Sequence, residues 1–176
     1  TAGGTWKKLG AGFDYDMSTG FWSRDEKTIY FNAGVRATSQ LCSVSTETGQ
    51  VTQVTRENGV VVASEDDDSR VLTINYMDPV TPASVYTVSS LEQVANRSAW
   101  KRLTHANPQI AEVALGQTEL VQWKSSDGRM VEGILVKPVG YEKGKRYPLI
   151  VQIHGGPAGA ALLNFNATHS YYSHIY

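Results

Sequence analysis

The first hundred residues repeat one pattern of short apolar runs, and this repeat constrains the fold more than any other feature. Leu9, Val54 and Leu103 occupy matching places in the stretches WKKL, VTQVT and WKRLT, with spacings of 45 and 49 residues. The runs between them are rich in Val, Ile, Thr and Tyr and are separated by turn residues. This pattern of short strand-like runs and turns predicts an all-β region.

The order of the strands also recurs within each repeat. Ile29 in SRDEKTIYF corresponds to Leu72 in DDDSRVLTINY, at an offset of 43 residues, and Leu41 corresponds to Val85, at an offset of 44. Each repeat therefore predicts a four-stranded meander, which is typical of a β-propeller blade. Two blades cannot close a ring, because propellers contain about four to eight, so we expect an incomplete propeller.

Composition limits the classes of partner. The 16 basic and 17 acidic residues are mixed along the chain and leave a formal net charge of -1, so no strong field attracts nucleic acid or an anionic membrane. No apolar run approaches the ~18 residues of a membrane span. The single cysteine, Cys42, has no partner for a disulfide within the chain and is interpreted as a small buried apolar residue.

Two conspicuous sets of side chains are interpreted as structural. The aspartates at 66–68 are followed by Ser and Arg and predict a solvated hairpin turn, so they do not indicate a metal site. Trp22, Tyr86 and Trp100 are expected in the blade core and not on a ligand platform. No metal or cofactor is predicted.

The pattern changes after residue 105. The stretch THANPQI, residues 104–110, predicts a domain junction. Residues 119–138 predict a β-hairpin around an Asp-Gly turn, and residues 140–148 a charged surface loop. The apolar run at 149–153 predicts a parallel strand buried on both faces of an α/β sheet. Residues 161–176 are expected to form an amphipathic helix or an irregular lid.

The sequence HGGP follows this apolar run. Glycines at the end of a strand allow the backbone to turn sharply and to approach a ligand closely. In α/β-hydrolases a loop of the HGGG type supplies one N–H of the oxyanion hole. The alternative, a tight turn without a catalytic role, stays open on this motif alone.

The repeat followed by WKSSDGRMVEGILVKPVGYEKGKRYPLIVQIHGGPAGA resembles the prolyl oligopeptidase family of serine peptidases, and in particular its acylaminoacyl-peptidase-like branch. The resemblance implies a β-propeller that covers an α/β-hydrolase domain and admits short peptides. The family's HGGP motif matches His154, Gly155, Gly156 and Pro157. It implies that the Gly156 N–H is an oxyanion donor and that His154 shapes the loop without being the catalytic histidine.

The resemblance also implies a division of the chain. Residues 1–105 would be the two C-terminal blades of the propeller, residues 106–118 a linker, and residues 119–176 the first part of the hydrolase domain. The expected activity is hydrolysis of peptide bonds in short peptides through an acyl-enzyme, without a cofactor.

The family's nucleophile elbow, G-x-S-x-G, is absent from the sequence. Two pairs of glycines have the required spacing, and they flank Glu142 and Pro157 instead of a serine. None of the Ser, Asp and His triad is therefore predicted in this chain, and we expect it to be inactive alone.

Two other functions fit parts of the pattern. One is a propeller-type binding module with a hydrolase-like extension, and the other is an α/β-hydrolase esterase. A G-x-S-x-G elbow in the coding sequence downstream would favour the peptidase, whereas an in-frame stop after the last residue would favour the binding module. A cytoplasmic location is slightly favoured, with a periplasmic or secreted one open because the N-terminus is expected to be missing.

Overall fold

The computed structural model describes residues 4–156 and 159–165, and these residues form β-strands joined by turns and short 3₁₀ helices. The strands in chain order are β1 (Met17–Trp22), β2 (Thr28–Val35), β3 (Thr38–Ser45), β4 (Val51–Gln53), β5 (Val60–Glu65), β6 (Leu72–Asp78), β7 (Thr81–Thr87), β8 (Lys101–Arg102), β9 (Thr118–Lys124) and β10 (Met130–Val136). The 3₁₀ helices are Leu91–Ala95, Arg97–Ala99 and Pro108–Glu112.

The first eight strands form two successive antiparallel meanders. Strands β1 to β4 pair in chain order, and strands β5 to β8 do the same. One parallel bridge, between Ser39 of β3 and Val60 of β5, joins the two ladders. The predicted pair of four-stranded units is confirmed as a strand pattern.

The two meanders also share their internal register. Val54 follows β4 and donates its N–H to the Leu41 carbonyl at 2.8 Å. Leu103 follows β8 and donates in the same way to the Val85 carbonyl, also at 2.8 Å. The two residues matched by the sequence repeat therefore have equivalent places. The second meander is longer because two 3₁₀ helices separate β7 from β8.

The main apolar core lies between the meanders and draws on both. Leu72, Ile74 and Tyr76 alternate along β6 and are buried, because side chains two residues apart in a strand point to the same face. The same alternation makes the expectation for Trp22 wrong. Phe21 takes the inward position and is buried, so its neighbour Trp22 points outward and is half exposed.

A cluster of aromatic rings closes the second meander. Tyr76, Tyr86 and Trp100 are buried and pack at ring-centroid distances of 5.8 to 6.3 Å, so the core positions expected for Tyr86 and Trp100 are confirmed. The guanidinium carbon of Arg97 lies 4.5 to 4.6 Å from all three ring centroids, and its Nε lies 3.8 Å from a carboxylate oxygen of Glu57. This geometry is a cation–π contact shared among three rings.

Buried side-chain amides connect the meanders where backbone pairing is interrupted. Asn32 on β2 donates to the Ala63 carbonyl and accepts from the Ala63 N–H, both at 2.8 Å. Gln40 on β3 accepts from the Thr55 hydroxyl and donates to the Glu57 carbonyl. These bonds satisfy backbone groups that would otherwise be buried without a partner, which is costly.

The predicted hairpin is confirmed as β9 and β10, paired from Thr118 with Val136 to Lys124 with Met130. Gly128 in its turn has φ +83, a conformation that glycine adopts without strain. The charged segment at 140–148 is exposed, as expected of a surface loop. At residues 66–68 the predicted solvated turn is present, and the side chain of Asp66 accepts hydrogen bonds from the N–H and hydroxyl of Ser69.

The run at 149–153 is not the predicted buried strand. Leu149, Ile150 and Val151 expose 71 to 74% of their surface, and Ile153 exposes 89%. No strand of the described residues runs beside them. A parallel strand exists only with a neighbour to accept its backbone hydrogen bonds, so apolar residues alone do not produce one.

The segment after the glycines has an irregular backbone over residues 161–165, where it packs on the first meander. Leu163 and Phe165 are buried, and the Leu163 N–H donates to the Ala37 carbonyl at 2.8 Å. The amphipathic helix or irregular lid was expected over residues 161–176, and its part from residue 166 onward lies outside the described residues.

Candidate active-site loop

The glycine loop is an open turn at the surface. His154, Gly155 and Gly156 are exposed, and Gly156 has φ +74, in the left-handed region. A Cβ added at Gly155 or Gly156 would meet no atom within 4 Å. Pro157, the fourth residue of the predicted motif, lies outside the described residues. The positive φ of Gly156 therefore favours glycine at this position, although the surrounding space would accommodate a side chain.

The loop contacts mainly itself. The Gly159 N–H donates to the Gly156 carbonyl at 2.7 Å, and His154 Nδ1 lies 3.3 Å from the Gly155 carbonyl oxygen. A Cβ on Gly159 would lie 2.8 Å from that same carbonyl oxygen, so this position tolerates no side chain without a backbone shift. Gly156 and Gly159 therefore lie within hydrogen-bonding distance of each other.

The histidines do not form a catalytic pair within the described residues. In that part of the chain, neither His105 nor His154 hydrogen-bonds to a serine hydroxyl or to a carboxylate. His169 and His174 lie outside it. The sequence-based assignment of His154 as a residue that shapes the loop stays a prediction.

An ion pair that the sequence did not reveal joins the first meander to the hairpin. Arg36, in the turn between β2 and β3, donates from Nε to Glu132 Oε1 at 2.7 Å and forms a salt bridge with the same oxygen through Nη2. Gln122 Nε2 donates to that oxygen at 2.6 Å. Hydrogen bonds from Arg36 and then Gln122 lower the pKa of Glu132, because both favour the charged carboxylate.

A second candidate surface lies at the end of β1 and β2 that is opposite to the Arg36 turn. The exposed Trp22 borders an open hollow that is also lined by Ser23, Arg24, Glu26 and Arg70. The Arg70 guanidinium is already engaged, by Glu65 at 2.9 Å and by the Trp22 carbonyl at 3.3 Å. The guanidinium of the hollow's Arg70 is therefore held by neighbouring groups.

Across residues 4–156 and 159–165, no group of three His, Cys, Asp or Glu side chains is arranged to hold a metal ion. None of the helices in that part is long and apolar enough to cross a membrane. Cys42 is fully buried, and burial raises the pKa of its thiol.

The chain is similar in sequence to several peptidases. It is 27% identical to peptidase YuxL of Bacillus subtilis and 27% identical to dipeptidyl-peptidase 5 of Arthroderma otae, in each case over 88% of this chain and 21% of the relative. Dipeptidyl-peptidase 5 of Porphyromonas gingivalis is 26% identical over 82% of this chain and 20% of its own length. The chain thus spans about a fifth of the length of these relatives. No protein-family model matches it.

Solved structures show the same likeness at the level of fold. Acylaminoacyl peptidase of Pyrococcus horikoshii superposes with a TM-score of 0.66 at 19% identity, over 90% of this chain and 23% of that one. Dipeptidyl peptidase 4 of Porphyromonas gingivalis gives a TM-score of 0.66 at 15% identity, over 94% and 24%. The sequence relatives support the resemblance to prolyl oligopeptidase-family peptidases that the motifs predict, and the solved structures show a likeness of fold.

Proposed function

We propose that this chain is a segment of a serine peptidase of the acylaminoacyl-peptidase-like branch, which cleaves short peptides. Residues 1–105 would be the last two propeller blades, residues 106–118 the linker, and residues 119–176 the start of the hydrolase domain. The observation that carries the proposal is the order of the structural elements along the chain. Two meanders of equal register are followed by a hairpin and then by a glycine turn with Gly156 in the left-handed region. The similarity to peptidases over most of the chain supports it.

In the proposed reaction, a serine hydroxyl adds to the carbonyl carbon of the substrate peptide bond and its proton passes to a histidine. The carbonyl oxygen becomes an oxyanion, and the Gly156 N–H donates a hydrogen bond to it. Collapse of the intermediate expels the amine, which takes the proton from the histidine and leaves an acyl-enzyme. Water then repeats the sequence and releases the acid.

The 176-residue chain has no serine in an elbow motif, so it is expected to be inactive alone. A fluorophosphonate probe, which labels activated serines, should leave this chain unlabelled and should label a longer product of the same gene that includes an elbow. The longer product should also hydrolyse chromogenic peptidyl or aminoacyl substrates. Stoichiometric labelling of the 176-residue chain would overturn the proposal.

The role of Gly156 has its own test in the longer product. Gly156→Ala strains the left-handed backbone and moves the donor, so we expect kcat to fall about 10²-fold or more, as for loss of an oxyanion donor. Gly144→Ala is the matched control, because Gly144 also has a positive φ with open space around it but lies in the charged loop. Equal losses in both variants would indicate general destabilisation and contradict the assigned role.

The same measurements separate the alternatives. A propeller-type binding module would show neither labelling nor hydrolysis in the longer product. An esterase would be labelled by the probe and would hydrolyse simple esters, while leaving peptidyl amides intact.

A further inference from the structure

The turn between β2 and β3, residues 35–38, is a well-defined element at one end of the first meander. Val35 and Thr38 pair across it, and the Thr38 hydroxyl donates to the Val35 carbonyl at 2.8 Å. Ala37 is buried, and Arg36 has φ +54, in the left-handed region. Because its ends are closed by a strand pair, the turn presents the Arg36 side chain and the Ala37 carbonyl in defined positions.

The hairpin is attached to this turn through a charged contact. Arg36 binds Glu132 on β10, and Gln122, which faces Glu132 across the hairpin, orients the same carboxylate oxygen. Arg36 keeps 48% of its side chain exposed, while Glu132 keeps 28%. The pair is therefore partly shielded and is supported by a third side chain.

The chain returns to the same turn after the glycine loop. The Leu163 N–H donates to the carbonyl of Ala37, which is the residue next to Arg36. The Leu163 side chain is buried. Between these two attachments, residues 138–156 and 159–161 are exposed. The glycine loop thus lies on a span that leaves the turn at Glu132 and returns to it at Leu163.

We propose that residues 35–38 form a two-point anchor that holds the glycine loop in place, with Arg36 as a positioning residue for the Gly156 N–H. The inference rests on the proposed function for its catalytic consequence. Arg36 acts through Glu132 and touches no reacting atom. A displaced oxyanion donor weakens binding of the transition state more than binding of the substrate, so loss of the anchor lowers kcat and leaves KM nearly unchanged.

The first experiment measures the position of the loop in the 176-residue chain. Nitroxide labels on Glu47→Cys and Gln152→Cys, in a Cys42→Ala background, report the distance between the first meander and the glycine span. Arg36→Glu places two negative charges together and is expected to broaden this distance distribution, and Arg36→Glu with Glu132→Arg is expected to restore it. Arg129→Glu is the matched control, because Arg129 is exposed and pairs locally with Asp127 in the hairpin turn.

The second experiment measures catalysis in the longer product, with kcat expressed per active site titrated by the fluorophosphonate probe. We expect Arg36→Glu to lower kcat about tenfold with KM changed less than about twofold, since a small misplacement of a catalytic group has effects of this order or larger. The charge-swapped double variant should recover most of kcat. Normalising to titrated sites removes any effect of unfolded protein.

The outcomes separate the two claims. An unchanged distance distribution in Arg36→Glu overturns the anchor, whatever the enzyme does. Normal labelling with an unchanged kcat overturns the positioning role. If the longer product is never labelled, the proposed function fails, and the distance measurement alone decides whether the anchor exists.

Discussion

The core between the meanders and the run at 149–153 contain the same kinds of side chain in opposite surroundings. Val61 and Ile74 are completely buried, whereas Ile150 and Ile153 expose 71% and 89% of their surface. Both stretches have apolar, β-branched residues that favour strands. The difference is that β5 and β6 pair with each other and face the first meander, while the described residues provide no strand beside 149–153. Burial therefore depends on the partner surface and not on residue type.

Truncating one isoleucine in each region is expected to give the largest difference in the free energy of unfolding. Ile74→Ala should lower the free energy of unfolding by about 2 to 5 kcal/mol, because it removes buried methyl groups and leaves a cavity. Ile153→Ala, the same change at an exposed position, should stay within about 0.5 kcal/mol. Urea denaturation followed by tryptophan fluorescence measures both. Similar losses would show that 149–153 is packed in solution and would remove the distinction.

Removing a buried amide contact between the meanders is expected to have the next largest effect on the free energy of unfolding. Asn32→Ala leaves the N–H and carbonyl of Ala63 without their partner and should cost about 1 to 3 kcal/mol. Asn75→Ala is the control, since Asn75 also lies in a strand but points to solvent. The same denaturation measurement applies, and a cost no greater at Asn32 would contradict the bridging role.

A smaller loss is expected for the arginine over the aromatic cluster. Arg97→Ala removes its contact with three rings and its proximity to Glu57, and should cost about 1 kcal/mol. Arg129→Ala, with an almost fully exposed side chain, should have no measurable effect. Thermal unfolding of the two variants in parallel checks this, and equal melting temperatures would argue that the stacked geometry contributes nothing.

The smallest expected effect is a change in the pKa of Glu132, the partner of Arg36 in the anchor. Arg36→Ala should raise the pKa of Glu132 toward its ordinary value, about 4.3, because its largest stabilising hydrogen bond is lost. A group whose pKa is lowered on folding stabilises the protein above its unfolded pKa, and this contribution disappears as pH falls through the folded value. Carboxyl NMR titration measures the shift. If Arg129→Ala moved the Glu132 pKa as much, the assigned cause would be wrong.

Local signals in the sequence predicted much of the first region. The offset between Leu41 and Val85 located equivalent strands, and the Asp-Gly turn located the hairpin, because strand alternation and turn chemistry act over a few residues. Trp22 was placed wrongly, since an apolar pair at 21 and 22 can send just one side chain inward. Sequence inspection alone did not show which of the two would be buried.

The candidate site was predictable in part for a similar reason. The HGG motif and the positive φ of Gly156 agree, because a left-handed backbone favours glycine. The contact between Arg36 and Glu132 was missed, since the two residues are 96 positions apart and neither belongs to a motif. The bond from Leu163 to Ala37 was missed for the same reason.

The sequence by itself determined the strand repeat, the hairpin, the glycine turn and the likeness to peptidases, because each of these is encoded in neighbouring residues or in motifs of fixed spacing. The tertiary structure alone decided which apolar residues are buried and that one turn of the first meander contacts the chain on both sides of the glycine loop. These features depend on groups brought together from distant parts of the chain, which local sequence does not specify. Burial of the apolar residues is driven by exclusion of water from their surfaces, whereas the contacts of the turn are an ion pair and a backbone hydrogen bond.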